Sequence, residues 1–572
     1  MDFTINTGGQ AGQGIDTIGD LISQVFVKTG FYVHVLKDFE SRIRGGYNFN
    51  QIRVSDSPIY AATDKVDLII AMTKEAIVEQ RSRLTEGGVI IFDEGIEFEE
   101  LESCHLSAPL EKVAKEVGGS TRMTNAAALG AALAVLQFPF KLVENALTAK
   151  FERKGEKVVA SNVAVAKALY DLTTEQFSGT CSQNLSSVKK GPSKDFLFIN
   201  GNRALALGAM ASNVKWISAY PMSPSTQVFQ DIVSQAHKLN IGTLQVEDEL
   251  SAITMALGAS VAGARSFVTT SGGGFSLMVE ALGLAAITET PIVIYNAQRP
   301  GPATGLPTRT EQSDLLFMTH ASQGEFPRIL LAPKDPVEGF EVATRAFNLA
   351  DKFQVPVMIL GDQHYADSMM NIPRFNVTGV HVDRGQIATA GPDPEYLRYK
   401  LTEDGVSPRA FPGDAGKIVV HSGNVHLENG HITENPDLRN AMVEKLMKKV
   451  PHILKFLKPP IIYGKKIADI TLLTWGSTWG SVNEAVNLLN ADGVSINQLH
   501  FCDVYPLRTK ILKTVFKNAK KVVAVEQNAT SQFARLVRME TGLSVDHHIN
   551  KYDGRQMTGR WVMTQLKEAG IA

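Results

Sequence analysis

Short apolar runs alternate with amphipathic stretches along most of the chain, and this alternation predicts an α/β fold. In the first part of the chain, helical spacing of apolar residues between Ile15 and Phe26 separates a short strand at FTIN from one at FYVHVL. Further strands are predicted at NQIRVS, VDLIIAM and GVIIFDE, and a helix at NAAALGAALAVL with Thr124 as its cap. We therefore expect one α/β unit over residues 1–175.

A second run of strands and helices is predicted over residues 195–372. Its strands are FLFIN, WISAY, TLQVE, RSFVTTS, PIVIYNAQ, RILLAP and PVMILGD, with helices at about Arg203–Ser212 and from Asp248 onward. Strands that are apolar throughout are typical of a parallel sheet covered on both faces. The pattern indicates a multi-domain α/β protein with a parallel sheet in this second unit.

Composition changes mark the remaining boundaries. Residues 176–194 are rich in Ser, Gly and Lys, which favours an exposed linker. Residues 373–465 carry many prolines, glycines and charges around one helix near PDLRNAMVEKLMKKV, and are predicted to connect their neighbours. In residues 466–572, DITLLTWGSTWG predicts a strand, a turn and a helix start, and KVVAVEQN a later strand.

Composition and charge exclude several classes of protein. A chain of 572 residues is too long to fold around a single hydrophobic core. Its 57 basic and 59 acidic side chains nearly balance, which indicates no general affinity for nucleic acid or anionic membranes. No apolar run approaches the ~18 residues of a membrane span, and the amino terminus lacks signal-peptide features. We expect a soluble cytoplasmic protein.

Cysteine usage limits the redox chemistry that this chain can perform alone. Its three cysteines, Cys104, Cys181 and Cys502, are far apart, without a C-x-x-C pair. Neither a disulfide framework nor an iron–sulfur motif follows from that spacing. Any electron transfer is expected to depend on another chain.

Three loops that each follow a predicted strand carry candidate chemistry. They are YPMSPS with Ser223 between two prolines, TSGGG, and NAQRPGPATG with Arg299. Ligands of parallel sheets bind at the carboxyl ends of the strands, so these loops can converge on one edge. The last loop, which continues to Arg309, could hold a carboxylate through guanidinium and hydroxyl donors, or it could be an ordinary surface loop.

Three carboxylates, Glu247, Asp248 and Glu249, begin the helix in VEDELSAITMALGAS. Acidic residues at a helix N-terminus usually complement the helix dipole. A buried member of the group could instead handle a proton in catalysis. The sequence leaves both interpretations open.

The glycine-rich GGQAGQG, between the first strand and the first helix, could place Gly12 and Gly14 against a phosphate. Arg42 and Arg44 in SRIRGG could assist as phosphate clamps. The spacing is not G-x-G-x-x-G, and a plain tight turn remains open. The repeated histidines His421, His426 and His431 do not share one face of a predicted element, so no zinc site or other metal site is expected on this chain.

Taken together, YPMSPST, EDELSAITMALGAS, TSGGGFSLM and RPGPATGLPTRTEQSDL resemble, in order and spacing, the α subunit of 2-oxoacid:ferredoxin oxidoreductases. The N-terminal unit resembles the γ domain fused ahead of it. The 2-oxoglutarate:ferredoxin (2-oxoglutarate synthase) branch looks most similar. The resemblance implies a γ domain over 1–175, a pyrimidine-type thiamine-diphosphate domain over 195–372 and a transketolase C-terminal-like domain over 466–572.

The resemblance implies thiamine diphosphate shared with a separate β subunit, which would carry Mg²⁺ and a [4Fe–4S] cluster. The diphosphate signature begins G-D-G, whereas here Gly361-Asp362 is followed by Gln363. Coenzyme A as co-substrate, ferredoxin as electron acceptor and an (αβ)₂ heterotetramer are implied as well.

Residue roles carry over from the family motifs. Glu249 matches the glutamate that hydrogen-bonds the aminopyrimidine ring, and Tyr220, Pro221, Gly272 and Gly273 match its cofactor-binding neighbours. The family often has S-G-P-G where this chain has S-G-G-G, so a more flexible turn is expected there.

The substrate motifs match with one departure. Arg299 and Thr308 match the residues that hold the 2-oxoacid carboxylate, and Ser223 stands where the family usually has threonine in Y-P-I-T-P. Serine keeps the hydroxyl donor and loses the methyl group. Gly12, Gly14, Arg42 and Arg44 are the candidates for coenzyme A.

The implied reaction is oxidative decarboxylation of 2-oxoglutarate with coenzyme A to succinyl-CoA, CO₂ and reduced ferredoxin, which fixes CO₂ when reversed. Pyruvate or a branched-chain 2-oxoacid is an alternative substrate. A scaffold subunit without catalysis is a second alternative, against which the presence of Glu249, Arg299 and Thr308 argues. A nicotinamide-dependent dehydrogenase is disfavoured because no G-x-G-x-x-G loop is present.

Overall fold

The computed structural model describes residues 1–41, 45–98, 104–177, 181, 183–186, 196–393 and 395–572. The chain forms two compact units. The N-terminal unit comprises Met1–Ile199, Ser368–Arg374 and Thr558–Trp561, and the main unit comprises Asn200–Asp367, Phe375–Met557 and Val562–Ala572. The five domain boundaries given above stay predictions.

The strands, in chain order, are β1 (Asp2–Ala11), β2 (Tyr32–Asp38), β3 (Gly45–Ser55), β4 (Val66–Ala71), β5 (Leu84–Asp93), β6 (His105–Ala108), β7 (Phe196–Asn200), β8 (Trp216–Ala219), β9 (Gly242–Gln245), β10 (Ser266–Thr270), β11 (Ile292–Gln298), β12 (Ile329–Leu331), β13 (Pro356–Asp362), β14 (Met369–Pro373), β15 (Ile461–Gly464), β16 (Ile470–Trp475), β17 (Ile496–Phe501), β18 (Asp503–Tyr505), β19 (Lys521–Glu526) and β20 (His547–Asn550).

The α-helices are α1 (Ile15–Lys28), α2 (Lys74–Gln80), α3 (Leu110–Gly118), α4 (Thr124–Val135), α5 (Phe140–Phe151), α6 (Glu156–Gln176), α7 (Gly201–Ala211), α8 (Thr226–Leu239), α9 (Glu249–Val261), α10 (Gly272–Ile287), α11 (Leu315–His320), α12 (Pro336–Phe353), α13 (Gln363–Asp367), α14 (Pro436–Phe456), α15 (Trp479–Ala491), α16 (Thr509–Asn518), α17 (Gln532–Thr541) and α18 (Gly559–Glu568). Among the described residues, no helix has the length and apolar character needed to cross a bilayer.

The N-terminal unit is built on a mixed sheet with strand order β6-β5-β4-β1-β3-β2-β14-β7. β1 runs parallel to β4 and antiparallel to β3. The prediction of a short first strand followed by a glycine turn is wrong in extent, because Gly8 and Gly9 still pair with Phe49 and Asn48. α1 begins directly after Gly14, so the turn is confined to residues 12–14.

The expectation that Thr124 caps α4 is also wrong. Thr124 is the first residue of α4, and its hydroxyl donates to the carbonyl of Thr121 at 2.7 Å. The helix is buried along nearly its whole length, because its alanines pack closely in the core of the N-terminal unit. The helix begins and ends one residue earlier than NAAALGAALAVL predicts.

The main unit contains the predicted parallel sheet, with strand order β18-β12-β13-β11-β10-β8-β9. The expectation that FLFIN belongs to this unit is wrong, because it forms β7 at the edge of the N-terminal sheet. The six strands from β12 to β9 in this order are parallel to their neighbours. Only the edge strand β18 is antiparallel to the strand beside it, β12. Successive residues of the central strands point to opposite faces of the sheet and belong to different apolar clusters. Phe267 and Val293 belong to one cluster, and Val268 and Ile294 belong to the other. The sheet is therefore covered on both faces, as its apolar strands predict.

A smaller sheet of the main unit has strand order β15-β17-β16-β19-β20. β16 is parallel to both β17 and β19, while β15 is antiparallel to β17. Trp475 ends β16, a single 3₁₀ turn follows over Gly476–Thr478, and α15 begins at Trp479. The predicted strand, turn and helix start of DITLLTWGSTWG are confirmed.

The helix of the connecting region is fixed to the core by buried charge. Lys445 and Lys449 in α14 donate to the two oxygens of Glu289 at 2.5 Å and 2.7 Å, and all three side chains are at most 2% exposed. Burial alone would raise the pKa of Glu289, but the two ammonium groups hold it at about 2. Lysines are rarely buried unless paired, so this ion triad explains how a polar helix packs against the rest of the main unit.

Candidate active site

Four neighbouring parallel strands place the predicted loops on one edge of the main sheet. β9, β8, β10 and β11 lie side by side, and their carboxyl ends lead into residues 246–249, 220–224, 271–274 and 299–310. In parallel sheets this edge is where ligands bind. The expected convergence of YPMSPS, TSGGG and NAQRPGPATG is confirmed by the strand order.

The three carboxylates before α9 have separate roles. Glu247 is exposed, and Asp248 caps the helix by accepting from the Ser251 amide at 2.7 Å, which lowers the pKa of Asp248. Glu249 is only 3% exposed. Both interpretations left open by the sequence therefore apply, to different residues: Asp248 complements the helix, and Glu249 is the buried carboxylate.

Glu249 carries a buried oxygen that is available for a ligand. Among the described residues, its Oε1 atom has no hydrogen-bond partner. A buried carboxylate oxygen without a partner costs free energy, and such atoms are rare in native structures unless a function requires them. The hydroxyl of Ser271, at the start of α10, is likewise buried without a partner.

Gly274 provides the space for that carboxylate. A methyl group on Gly274 would lie 2.5 Å from Oε1 of Glu249 and would also overlap the hydroxyl oxygen of Thr270. The predicted glycine turn is in fact the first turn of α10, which begins at Gly272. Gly274 thus permits α10 and the start of α9 to approach closely.

Arg299 and Ser223 are in direct contact. The Nη1 of Arg299 donates to the backbone carbonyl of Ser223 at 2.7 Å, which joins the loops after β11 and β8. Partial burial lowers the pKa of Arg299, and the charge of Asp314 opposes that shift. The Ser223 side chain is exposed, as are Tyr220 and Pro221 in the same loop.

Thr308 is half-buried in the loop after β11. Within the described ranges its side chain makes no hydrogen bond to the other residues of this edge. The structure therefore joins Arg299 to Ser223 and Gly274 to Glu249, but it does not join Thr308 to either pair.

Asp314 and Asn296 belong to the same edge and were not singled out by the sequence. Asn296 donates to Asp314 Oδ2 at 2.9 Å, and burial raises the pKa of Asp314. A methyl group on Gly272 would lie 2.5 Å from that oxygen. The available signal was Asn296 itself, a polar residue inside the apolar strand PIVIYNAQ.

The N-terminal unit has a cavity of about 460 Å³, within the usual size range of ligand pockets. Gly12 and Gly14 line it together with Thr121, Arg122 and Asn125. A side chain on Gly14, which has φ 78°, would collide with the amide of Asn125. Arg42 and Arg44, the other candidates of this unit, lie outside the described residues.

Metal ligands are not clustered in the described part of the chain. No group of three or more His, Cys, Asp or Glu side chains there is arranged to hold an ion. Asp362, in the Gly361-Asp362 pair, is 2% exposed, and its carboxylate accepts from the Ser477 hydroxyl and the Tyr365 amide.

Comparison with known proteins gives two family matches. Residues 207–445 match the family described as pyruvate flavodoxin/ferredoxin oxidoreductase, thiamine diphosphate-binding. Residues 4–172 match the family described as pyruvate ferredoxin/flavodoxin oxidoreductase. The first match includes the edge that carries Glu249, and the second includes the cavity at Gly14.

Similar proteins span nearly the whole chain. The α subunit of a 2-oxoacid:ferredoxin oxidoreductase from a Sulfolobus species is 30% identical over 99% of this chain and 96% of its own. The 2-oxoglutarate synthase subunit KorA of Methanothermobacter thermautotrophicus is 32% identical over 62% of this chain and 94% of its own. The 2-oxoglutarate:ferredoxin oxidoreductase of Magnetococcus marinus, solved with 2-oxoglutarate, coenzyme A and succinyl-CoA bound, is 32% identical over 99% of both chains, with a TM-score of 0.91.

These matches agree with the motifs of the main sheet and with the two-part organisation of the chain. One family model matches most of the N-terminal unit and the other matches residues 207–445 of the main unit, while the full-length similarity includes both units. The chain belongs to the 2-oxoacid:ferredoxin oxidoreductase family, as an α subunit.

Proposed function

We propose that this α subunit acts on 2-oxoglutarate, which its enzyme converts with coenzyme A to succinyl-CoA and CO₂ while reducing ferredoxin. Relatives named for 2-oxoglutarate and the similarity to the Magnetococcus marinus enzyme support this substrate. The reaction releases two electrons, so two equivalents of a one-electron carrier such as ferredoxin would be reduced. With strongly reducing ferredoxin the same steps run toward CO₂ fixation.

The observation that carries the proposal is the unpartnered, buried oxygen of Glu249. An aminopyrimidine ring offers a nitrogen that can share a proton with a carboxyl group, so Glu249 fits the pyrimidine end of thiamine diphosphate. When bound, this cofactor supplies the nucleophilic carbon that attacks the 2-oxo group. The task of Glu249 is to hold or accept one proton at Oε1, away from water.

The residues around Glu249 would form the rest of the cofactor site. Tyr220 and Pro221 lie in the loop after β8, and Gly272 and Gly273 begin α10 on the next strand. Gly273 leaves open space, since a methyl group there would come no closer than 3.8 Å to another atom. A cofactor ring could therefore approach the backbone at Gly273.

Arg299 would bind the carboxylate that the substrate loses. Its bond to the Ser223 carbonyl fixes one nitrogen, and no other hydrogen bond within the described residues prevents the remaining guanidinium donors from forming a planar pair of hydrogen bonds. The hydroxyls of Ser223 and Thr308 would add neutral donors. We propose that these three residues orient the 2-oxoacid so that its carbonyl carbon faces the cofactor.

The cavity at Gly12 and Gly14 would hold part of coenzyme A. α1 begins at Ile15, directly after the lining residue Gly14, and a helix N-terminus with glycines before it suits a phosphate. Arg122 contributes one positive charge to a lining that also contains Asp93 and Glu111. Arg42 and Arg44 remain candidates for the same ligand.

A separate β subunit is proposed to complete the site, with Mg²⁺, the cofactor diphosphate and the [4Fe–4S] cluster, in an (αβ)₂ assembly. The helices that begin at the site support this with large apolar side chains that are 39–48% exposed: Leu250, Met255, Leu277 and Phe317. Several exposed apolar residues on neighbouring elements are typical of a protein interface. Asp362 is engaged within this chain and would not serve the metal.

The proposed substrate is tested by coenzyme A-dependent viologen reduction with the complex purified from its natural source. We expect 2-oxoglutarate to have a kcat/KM at least about tenfold above those of pyruvate and 2-oxoisovalerate, a difference of about 1.4 kcal/mol in transition-state binding. A preference for another 2-oxoacid would contradict the substrate and keep the reaction class. No turnover of any of them, in a complex with its cluster and thiamine, would favour the scaffold alternative.

A further inference from the structure

The loop that carries Arg299 and Thr308 is bonded to the segments that follow β19 and β20 of the smaller sheet. The Gln312 amide donates to the Gln527 carbonyl at 2.7 Å, and the Asn528 side chain donates back to the Gln312 carbonyl at 3.1 Å. The Thr310 amide donates to the Gly554 carbonyl at 3.2 Å. More than 200 residues of chain separate the two sides of these bonds. The loop after β11 is thus not free to move independently of the terminal part of the chain.

Gln532 makes the most specific of these contacts. Its Nε2 donates to the Ser313 carbonyl at 2.6 Å, and its Oε1 accepts from the Leu316 amide at 2.9 Å. One side chain therefore fixes the backbone on both sides of Asp314. Because a glutamine amide offers one donor face and one acceptor face, this pair of bonds also fixes the orientation of the amide.

The position of Gln532 is itself rigid. It is the first residue of α17, whose next two amides, those of Phe533 and Ala534, both donate to the carboxylate of Glu526 at 2.9 Å. Glu526 is only 1% exposed. The N-terminus of α17 is thus held by the buried Glu526 carboxylate. Gln532, at that N-terminus, in turn holds the backbone of the loop through its two hydrogen bonds.

Asp314 connects the backbone that Gln532 holds, residues 313–316, to the proposed substrate-binding residue Arg299. Its amide donates to the Gln298 side chain at 3.0 Å, and its carboxylate accepts from Asn296 at 2.9 Å. That carboxylate packs against Gly272, and its charge acts on Arg299. A shift of Asp314 would therefore change both the start of α10 and the field at Arg299.

We propose that Gln532 is a positioning residue for 2-oxoacid binding, acting through the backbone of residues 313–316 and Asp314 on Arg299. The inference rests on the proposed function in one respect, namely that Arg299 binds the carboxylate of the substrate. Gln532 does not contact the reacting atoms, so its loss should weaken substrate binding more than the chemical step. Coenzyme A binding should not change.

The test compares Gln532→Met with Gln565→Met in the complete complex. Methionine keeps the length of glutamine and removes both hydrogen bonds, whereas the Gln565 side chain donates to Glu568 within the same helix, α18. We expect Gln532→Met to raise KM for the 2-oxoacid about tenfold with kcat within about twofold, because misplacement of a binding group acts on affinity. KM for coenzyme A and both values in Gln565→Met should stay at the wild-type level.

The outcomes separate this inference from the proposed function. An active wild-type complex whose Gln532→Met variant has unchanged KM for the 2-oxoacid overturns the inference alone. An equal rise in the KM values of the 2-oxoacid and coenzyme A also overturns it, because that pattern indicates a general structural defect. A wild-type complex without 2-oxoacid turnover contradicts the proposed function instead.

A second variant keeps the inference testable if Gln532→Met does not assemble. Gln532→Glu retains the acceptor for the Leu316 amide and loses the donor to Ser313. We expect KM for the 2-oxoacid to rise at least about threefold, because the donor to the Ser313 carbonyl is lost and a second carboxylate oxygen faces that carbonyl in its place. An unchanged KM in an assembled Gln532→Glu complex would overturn the inference.

Discussion

Glu249 and Gly274 fit together so closely that no side chain can stand between them. A methyl group on Gly274 would lie 2.5 Å from the unpartnered Oε1 of Glu249. The glutamate begins α9 and the glycine lies in the first turn of α10, so the pair joins the ends of two neighbouring loops. The oxygen proposed to meet the cofactor is therefore placed by a glycine in a separate part of the sequence.

Gly274→Ala is expected to reduce turnover at least about 100-fold, since displacing a proton-transfer group typically costs 10²- to 10⁴-fold. The cause is steric, because the new methyl group would push the Glu249 carboxylate from its position. Steady-state assays of the purified complex measure the effect. Gly423→Ala is the control, because its methyl group would meet no atom closer than 3.7 Å. Equal activities of the two variants would contradict the role given to Glu249.

Arg299→Lys is expected to raise KM for the 2-oxoacid by about 10- to 100-fold. Lysine keeps the charge but loses the planar pair of donors and the bond to the Ser223 carbonyl, and one charged hydrogen bond is worth about 1.5–3 kcal/mol. Initial-rate kinetics over a range of substrate concentrations measure it. Arg203→Lys, at a half-exposed ion pair with Asp231, should leave KM unchanged. A wild-type KM in Arg299→Lys would refute carboxylate binding by this residue.

Gly14→Ala is expected to raise KM for coenzyme A about tenfold or more and to leave KM for the 2-oxoacid unchanged. The methyl group would occupy the wall of the cavity against Asn125, and a small misplacement of a binding group can cost up to about 100-fold. Gly155→Ala controls for backbone strain, because it also has a positive φ and its methyl group would meet nothing. Equal effects of the two variants would argue that strain alone is responsible.

Glu289→Gln is expected to lower the free energy of unfolding by about 3–5 kcal/mol, because Lys445 and Lys449 would remain buried without a counter-charge. Chemical denaturation measures the loss, and the exposed Glu325→Gln should show almost none. A loss below about 1 kcal/mol, the range of exposed ion pairs, would show that the triad contributes little.

The same triad predicts a dependence of stability on pH. The folded pKa of Glu289 is about 2, below its ordinary value. The unfolded chain therefore binds more protons between about pH 2 and about pH 4.3, and stability rises with pH across this window. The contribution of Glu289 is complete above about pH 4.3 and is lost as the pH falls through about 2. Glu289→Gln should lack this component of the acid transition.

The sequence predicted the candidate edge of the main sheet because that prediction needs only a pattern of apolar strands, each followed by a loop with polar residues or glycines. Ser223, Gly272 and Arg299 each follow an apolar strand, and parallel strands bring their carboxyl ends together. The sequence could not predict that Asp248 caps α9 while Glu249 is buried, because this depends on which side of α9 faces the sheet. The N-cap bond from Ser251 settles it in the structure.

Long-range partners account for most of what the sequence did not predict. Lys445 and Lys449 are indistinguishable by residue type from exposed lysines, and their burial depends on Glu289, more than 150 residues earlier in the chain. The same holds for Gln532, whose partners are backbone atoms of a distant loop. Thr308 shows the opposite case, since its motif is recognisable but its role stays a prediction.

Turnover by Glu249→Gln tests the central claim most directly. The variant complex is purified with its partner, its content of thiamine and iron–sulfur cluster is measured, and coenzyme A-dependent reduction of viologen is followed with saturating 2-oxoglutarate. The account predicts an assembled complex whose rate is at least about 100-fold below the wild type, since the proton partner of the cofactor is neutralised. A rate close to the wild type, in a complex that still holds thiamine, would contradict it.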